Sequence, residues 1–155
     1  MIAEKLQRWR KNGITAAAQV FYIPNNKGVP DYRQTDLISR TEAYIDSLPK
    51  RQYNLLSTLF VFAEMLLPKL YGYFGKWSLL PQEKKEIIMK KVQKSRFYLV
   101  RSIYDSLRAV MAMMYLSHSD ALAFIGHYKT QEVPGDELEV IIKKRNLAKR
   151  DSRAA

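Results

Sequence analysis

The chain has 155 residues, enough for one ordinary domain and for a core that needs no disulfide or metal to hold it. It contains no cysteine, which excludes disulfides, thiolate metal sites and cysteine nucleophiles. Its formal net charge of +11 points to acidic partners (nucleic acid, an anionic membrane face or an acidic protein surface), while 47% hydrophobic residues are too many for a disordered basic arm.

Residues 2–20 predict an N-terminal helix, because Ile2, Leu6 and Trp9 fall at helical spacing and Ala16, Ala17 and Ala18 support it beyond Gly13. Lys5, Arg8, Arg10 and Lys11 decorate the same turns. Such a helix either caps its own core with a solvated face or rests, as a basic amphipathic helix, on a membrane or a partner. Residues 22–34 read as a loop, punctuated by Pro24, Asn25, Asn26, Gly28 and Pro30. A helical core is expected over 35–128. Thr35 is the expected N-cap of a helix reaching roughly Ser47, with Leu37, Ile38, Tyr44, Ile45 and Leu48 as its apolar stripe and Pro49 as its end. A third helix from about Arg51 carries Leu55, Leu56, Leu59, Phe60, Phe62, Leu66 and Leu67, and Pro68 is expected to stop it. That pattern is apolar nearly all round, which places the helix at the centre of a bundle. Its one acid, Glu64, is expected to be exposed or paired, the alternative being a buried carboxylate with a shifted pKa.

Tyr71, Tyr73, Phe74 and Trp77 crowd around Gly72 and Gly75, interleaved with Lys69 and Lys76. They are expected to fill gaps between helices, the alternative being stacking on single-stranded nucleic acid. Pro81 and Glu83 mark the start of a basic helix that carries Ile87, Ile88 and Val92 inward while Lys84, Lys85, Lys90, Lys91 and Lys94 point elsewhere. Ser95 gives a break. In the next helix Val100, Ile103, Tyr104, Leu107, Val110, Met111 and Met114 recur at three- and four-residue steps, beside a thin charged stripe of Arg101, Asp105 and Arg108. Ser119 or Asp120 is expected to cap a short helix over 121–125, which Gly126 stops. Residues 136–155 read as a basic helix or tail with Lys143, Lys144, Arg145, Lys149, Arg150 and Arg153. Only 18–23 and 139–142 have any strand character. The expectation is an all-α fold, a single-domain bundle of about five to seven helices.

No glycine-rich phosphate loop, His-Glu-x-x-His, Gly-x-Ser-x-Gly or dinucleotide fingerprint occurs. The carboxylates Glu83, Glu86, Asp136, Glu137 and Glu139 sit in polar contexts, and acid–base work needs burial. His118 and His127, the two histidines, have no carboxylate pattern around them, so they are expected to be loop residues and not metal ligands. No catalytic, cofactor-binding or metal-ligating residue is assigned, and the chain is not expected to be an enzyme by itself. The opening residues lack the apolar run of a secretory signal, and no stretch approaches the ~18 apolar residues of a spanning helix. A location in the cytoplasm or peripheral to the inner membrane is therefore the default.

Leu80, Pro81 and Glu83 open the basic helix, Ser95 and Arg96 break it, Leu107, Arg108 and Ala109 lie in the apolar helix, and Ala123, Ile125 and Gly126 follow. On these residues, together with the apolar run from Leu55 to Pro68, the chain resembles the gluconate 2-dehydrogenase subunit 3 family. It is equally similar to the helical N-terminal portion of long-chain alcohol oxidases, flavoproteins of the glucose–methanol–choline (GMC) class. The likeness covers residues 55–128. It departs from the family where His127 intervenes before Tyr128, and in lacking a twin-arginine export signal. The resemblance implies a non-catalytic small subunit that binds and stabilises, or helps mature, a large GMC-type dehydrogenase of alcohols or sugars. FAD would then belong to the partner and not to this chain. The partner contact is expected on Phe97, Val100, Ile103, Tyr104, Leu107, Val110, Met111 and Met114, with Phe124, Ile125, Gly126 and Tyr128. Two other classes remain open: a basic nucleic-acid-binding helical module, and a peripheral membrane protein held on an anionic surface by its basic amphipathic helix.

Overall fold

The computed structural model describes residues 2–23 and 28–132, with side chains over 4–23 and 28–126. Six α-helices and one 3₁₀ turn make up these residues, and no strand occurs among them. The helices are α1 (Ile2–Phe21), α2 (Leu37–Ser47), α3 (Lys50–Leu70), α4 (Gln82–Gln93), α5 (Tyr98–Leu116) and α6 (Ser119–Glu132), with the 3₁₀ turn at Trp77–Leu79 between α3 and α4. The chain falls into two compact units, Met1–Ala121 and Leu122–Ala155. Of the second unit, the described part is the continuation of α6, with Leu122 and Ile125 exposed and Phe124 half-buried. The expected turn at 133–136 and the basic helix or tail over 136–155 lie outside the described residues.

The centre of the first unit is α1, not α3. It packs against α2, α3, α4, α5 and the 3₁₀ turn. Small residues make this possible: Gly13, Ala16, Ala17 and Ala18 are all buried and let neighbouring backbones come close. At the crossing with α3, a Cβ on Gly13 would stand 2.3 Å from the backbone oxygen of Phe60. The buried stripe is built on Arg10, Ile14, Ala17 and Ala18; of the residues expected there, Leu6 is exposed, Trp9 is half-buried, and the Ile2 side chain lies outside the described set. Conversely α3 buries Phe60, Ala63, Glu64, Leu67 and Pro68 but leaves Leu55, Leu66 and Leu70 exposed. Apolar residues all round a helix therefore did not make it central here. Side-chain size at the crossing decided that.

The rest of the core is contributed one face at a time: Leu37 and Ile45 from α2, Trp77 from the 3₁₀ turn, Ile88 and Val92 from α4, Leu107 and Met111 from α5. The end of α1 is sealed by aromatic contacts, with Phe21 edge-on to Tyr104 at 5.7 Å and Tyr22 stacked on Tyr115 at 4.1 Å. Burial beside Tyr115 pushes the Tyr22 hydroxyl up to about 12. Tyr115 donates to the Pro30 carbonyl at 2.7 Å, and Arg40 Nη2 donates to the Ser117 carbonyl at 3.0 Å, tying the 28–35 loop and α2 to the end of α5.

Several element ends differ from expectation. The N-cap position of α2 is Asp36, in the left-handed region at φ 44°, and Thr35 instead donates its hydroxyl to the Asp31 carbonyl. Asp36 tolerates this conformation as a short polar residue, and its carboxylate accepts from the Ser39 hydroxyl at 2.8 Å. Pro68 does not stop α3 but sits in its last turn, where its carbonyl accepts from Tyr71 and Tyr73. Gly126 does not stop α6, which runs on to Glu132: it does not adopt the positive φ of a terminating glycine, and a single glycine costs a helix only ~1 kcal/mol. The ambiguous stretch 18–23 is helical as far as Phe21. No single described helix is long and apolar enough to cross a membrane.

Candidate functional site

The face expected to meet a partner lies largely inside the bundle. Leu107 and Met111 are fully buried and Met114 nearly so, packed into the chain's own core. Val100, Ile103, Tyr104 and Val110 are half-buried against that core. Leu107, Met111 and Met114 thus belong to the chain's own core, and Val100, Ile103, Tyr104 and Val110 to its margin. Of the remaining expected residues, Phe97, Ile125 and Gly126 are exposed, Phe124 is half-buried, and the Tyr128 side chain lies outside the described set. Helical periodicity marks an apolar face, but it does not say whether that face closes on the same chain or on another.

What remains open to a partner is the junction between α4 and α5. Phe97, Tyr98 and Leu99 follow one another at the start of α5 and are 75%, 72% and 78% exposed. Three consecutive apolar residues point around more than half of a helix turn, so one packing face cannot bury them all. Arg96 precedes them directly and lines a concavity of about 560 Å³ with Tyr71, Ile87, Lys90, Lys91 and Lys94. Lys91 lies over the Tyr71 ring, 5.8 Å from its centre. Lys90 and Lys91 sit in the last turn of α4, where cations complement the helix dipole. Tyr71 also begins the glycine-rich turn that presents Phe74, 99% exposed. Phe74 therefore does not fill the core as expected, whereas Trp77 does. The site is a basic hollow with no carboxylate among the described residues of its lining, and the exposed Phe97, Tyr98 and Leu99 follow its Arg96 directly in the chain. Tyr98 and Leu99 were missed from sequence because they break the three- and four-residue rhythm of α5, and that break was itself the signal.

A buried polar centre braces the elements behind this surface. Glu64 is fully buried, the alternative weighed for it in place of an exposed or paired acid, and it accepts from the Ser78 backbone N–H at 2.9 Å and from the Ser78 hydroxyl. Burial pushes its carboxyl up from the ordinary carboxylate range, opposed by the Ser78 hydrogen bonds and the charges of Lys76 and Lys85. Lys85, expected to point away with the other lysines, is also buried, and its Nζ donates to Gln19 Oε1 at 2.6 Å. Burial holds its ammonium below the usual lysine range, while Glu64 works in the opposite sense. Gln82 completes the seam by donating to the Gln19 carbonyl and to Glu86. These contacts pin the 3₁₀ turn to α3 and α4 to α1, which seats Trp77 in the core. In the loop before α6, His118 Nδ1 accepts from the Asp120 N–H at 3.2 Å. Among the described residues no group of three or more histidines and carboxylates could hold a metal ion. No protein-family model, curated protein or solved structure matches the chain.

Proposed function

We propose that this chain is a non-catalytic small subunit that binds and stabilises a large FAD-dependent dehydrogenase of the GMC class, the partner holding the flavin and carrying out hydride transfer on an alcohol or sugar. The observation that carries a docking role is the α4–α5 junction, where Phe97, Tyr98 and Leu99 are left to solvent beside a basic hollow. Exposed apolar groups rimmed by charge are typical of surfaces that another molecule covers. The identity of the partner rests on the resemblance over residues 55–128, in which Ser95 and Arg96 stand at this same junction. Purification from the native host tests the reading. A larger, yellow, flavin-containing polypeptide is expected to copurify with the wild-type chain and to be lost from a Phe97→Ser/Leu99→Ser double variant that still melts normally. A flavin-free monomer, or a complex indifferent to the double variant, overturns it.

The lining of the hollow favours a second reading, attachment to an anionic membrane face. Lys90, Lys91, Lys94 and Arg96 line it without a carboxylate among the described residues, and the apolar Phe97, Tyr98 and Leu99 that follow in the chain insert readily at a lipid interface. Sedimentation with vesicles containing phosphatidylserine, compared with neutral vesicles, decides it. Binding to single-stranded DNA or RNA that falls steeply with salt would instead favour the nucleic-acid class.

A further inference from the structure

The α4 helix buries Ile88, Met89 and Val92 and packs against α1 and α5. Ile87, Lys91 and Lys94, at steps of four and three, share another face, on which Ile87 is 42% exposed and both lysines are exposed. Together with Lys90, with Arg96 after the break and with Tyr71 from beyond the end of α3, they line the hollow of about 560 Å³. Among the described residues none of its four cations forms an ion pair or a side-chain hydrogen bond, and Lys91 has only the Tyr71 ring. Their charges are uncompensated within the described residues, and whatever covers them must be negative. A second copy of the chain, at net charge +11, carries the wrong overall sign. A bilayer presents its charge as a plane and meets groups that protrude, whereas these cations line a concavity together with the apolar surfaces of Tyr71 and Ile87. A single carboxylate would leave most of the charge unmatched, so the occupant carries several acids close together. Lys90 and Lys94 stand one turn apart, about 6 Å along the axis of α4, which is also the spacing of carboxylates four residues apart on a facing helix.

We propose that the hollow docks an acidic amphipathic helix of a partner protein. Carboxylates three or four residues apart on that helix meet Lys90, Lys91, Lys94 and Arg96, and an apolar side chain between them packs on Tyr71 and Ile87. Helix-in-groove recognition of this kind reads anchors at steps of three and four, and the charges set register and the rate of encounter. The proposal rests on the docking function above and adds the chemistry of the partner's contact segment.

Carbodiimide cross-linking of the complex from the native host tests it, because the reagent condenses a lysine amine only with a carboxylate in direct contact. Mass spectrometry is expected to find Lys90, Lys91 or Lys94 joined to partner acids that lie three or four residues apart in one stretch. Lys91→Glu/Lys94→Glu should weaken the complex roughly tenfold or more and remove most of its salt dependence. Lys91→Gln/Lys94→Gln, checked with it by thermal melting, should weaken it less and keeps the test if the charge reversal unfolds α4. A complex lost with Phe97→Ser/Leu99→Ser, yet indifferent to charge reversal and without lysine cross-links, leaves docking standing and overturns the acidic helix alone. Cross-links confined to this chain, or to partner acids scattered over distant segments, overturn it as well. So does sedimentation with phosphatidylserine vesicles that charge reversal abolishes, if no partner carboxylate is cross-linked. A chain that copurifies with no partner fails the docking function and this proposal with it.

Discussion

Replacing Gly13 by alanine separates two effects that act in opposite directions. In a helix interior the change from glycine to alanine is intrinsically favourable by ~1 kcal/mol. Here the new Cβ would lie 2.3 Å from the Phe60 carbonyl oxygen and 3.0 Å from its carbon. Ordinary contact begins near 3.4 Å, and the atoms struck are backbone, which cannot rotate away. The helices must therefore part by about 1 Å along a seam that includes Ile14, Ala17 and Phe60, all fully buried. Overpacking of this kind typically costs ~1–3 kcal/mol, and the upper end applies because a helix and not a side chain has to move. The net expectation is a loss of about 2 kcal/mol, or a fall in Tm of about 4–8 °C for a chain of this size. Urea and thermal unfolding followed by circular dichroism measure it. Gly126→Ala is the control, since nothing lies within 4 Å of its added Cβ and only the propensity gain of up to ~1 kcal/mol applies, read as slower amide exchange within α6. A Gly13→Ala variant as stable as the parent, or more so, refutes the close α1–α3 crossing.

Leu107→Ala should cost ~2–5 kcal/mol in urea unfolding, because the residue is fully buried, whereas Leu99→Ser should change stability by less than ~0.5 kcal/mol; equal effects would contradict the assignment of the two α5 faces. Glu64 has a raised carboxyl pKa in the fold, so the folded chain holds that proton more tightly than the unfolded one. Its contribution to stability is full below the unfolded value and is lost as pH rises through the folded value. Glu64→Gln should accordingly flatten the decline in unfolding free energy as pH rises above the ordinary carboxylate range, and an unchanged pH profile would count against a buried, desolvated acid. Lys85→Met removes a buried ammonium of lowered pKa together with its bond to Gln19, and urea unfolding at neutral pH is expected to show a change of less than ~1.5 kcal/mol. A loss of several kcal/mol there would mean that Lys85 and Glu64 stabilise the fold as a pair.

The sequence alone determined the all-α class and the position of most helices. Periodicity, prolines and glycines act over a few residues, and those local signals survive in the linear chain. It also marked the Ser95 break and the glycine-rich turn around Tyr71 that together frame the α4–α5 junction. Only the tertiary structure decided which helix is central. Gly13, Ala16, Ala17 and Ala18 look unremarkable in composition, yet their small size lets α2, α3, α4, α5 and the 3₁₀ turn all approach α1. Tertiary structure likewise buried Glu64, Lys85 and Arg10, three charges that read as solvated, because their partners Ser78, Gln19 and Asp46 lie 14, 66 and 36 residues away. The face of α5 that reads most strongly as apolar went into the chain's own core, and the residues that broke its rhythm became the surface. An apolar stripe reports that burial is favourable, and the three-dimensional arrangement of the other helices determines what buries it.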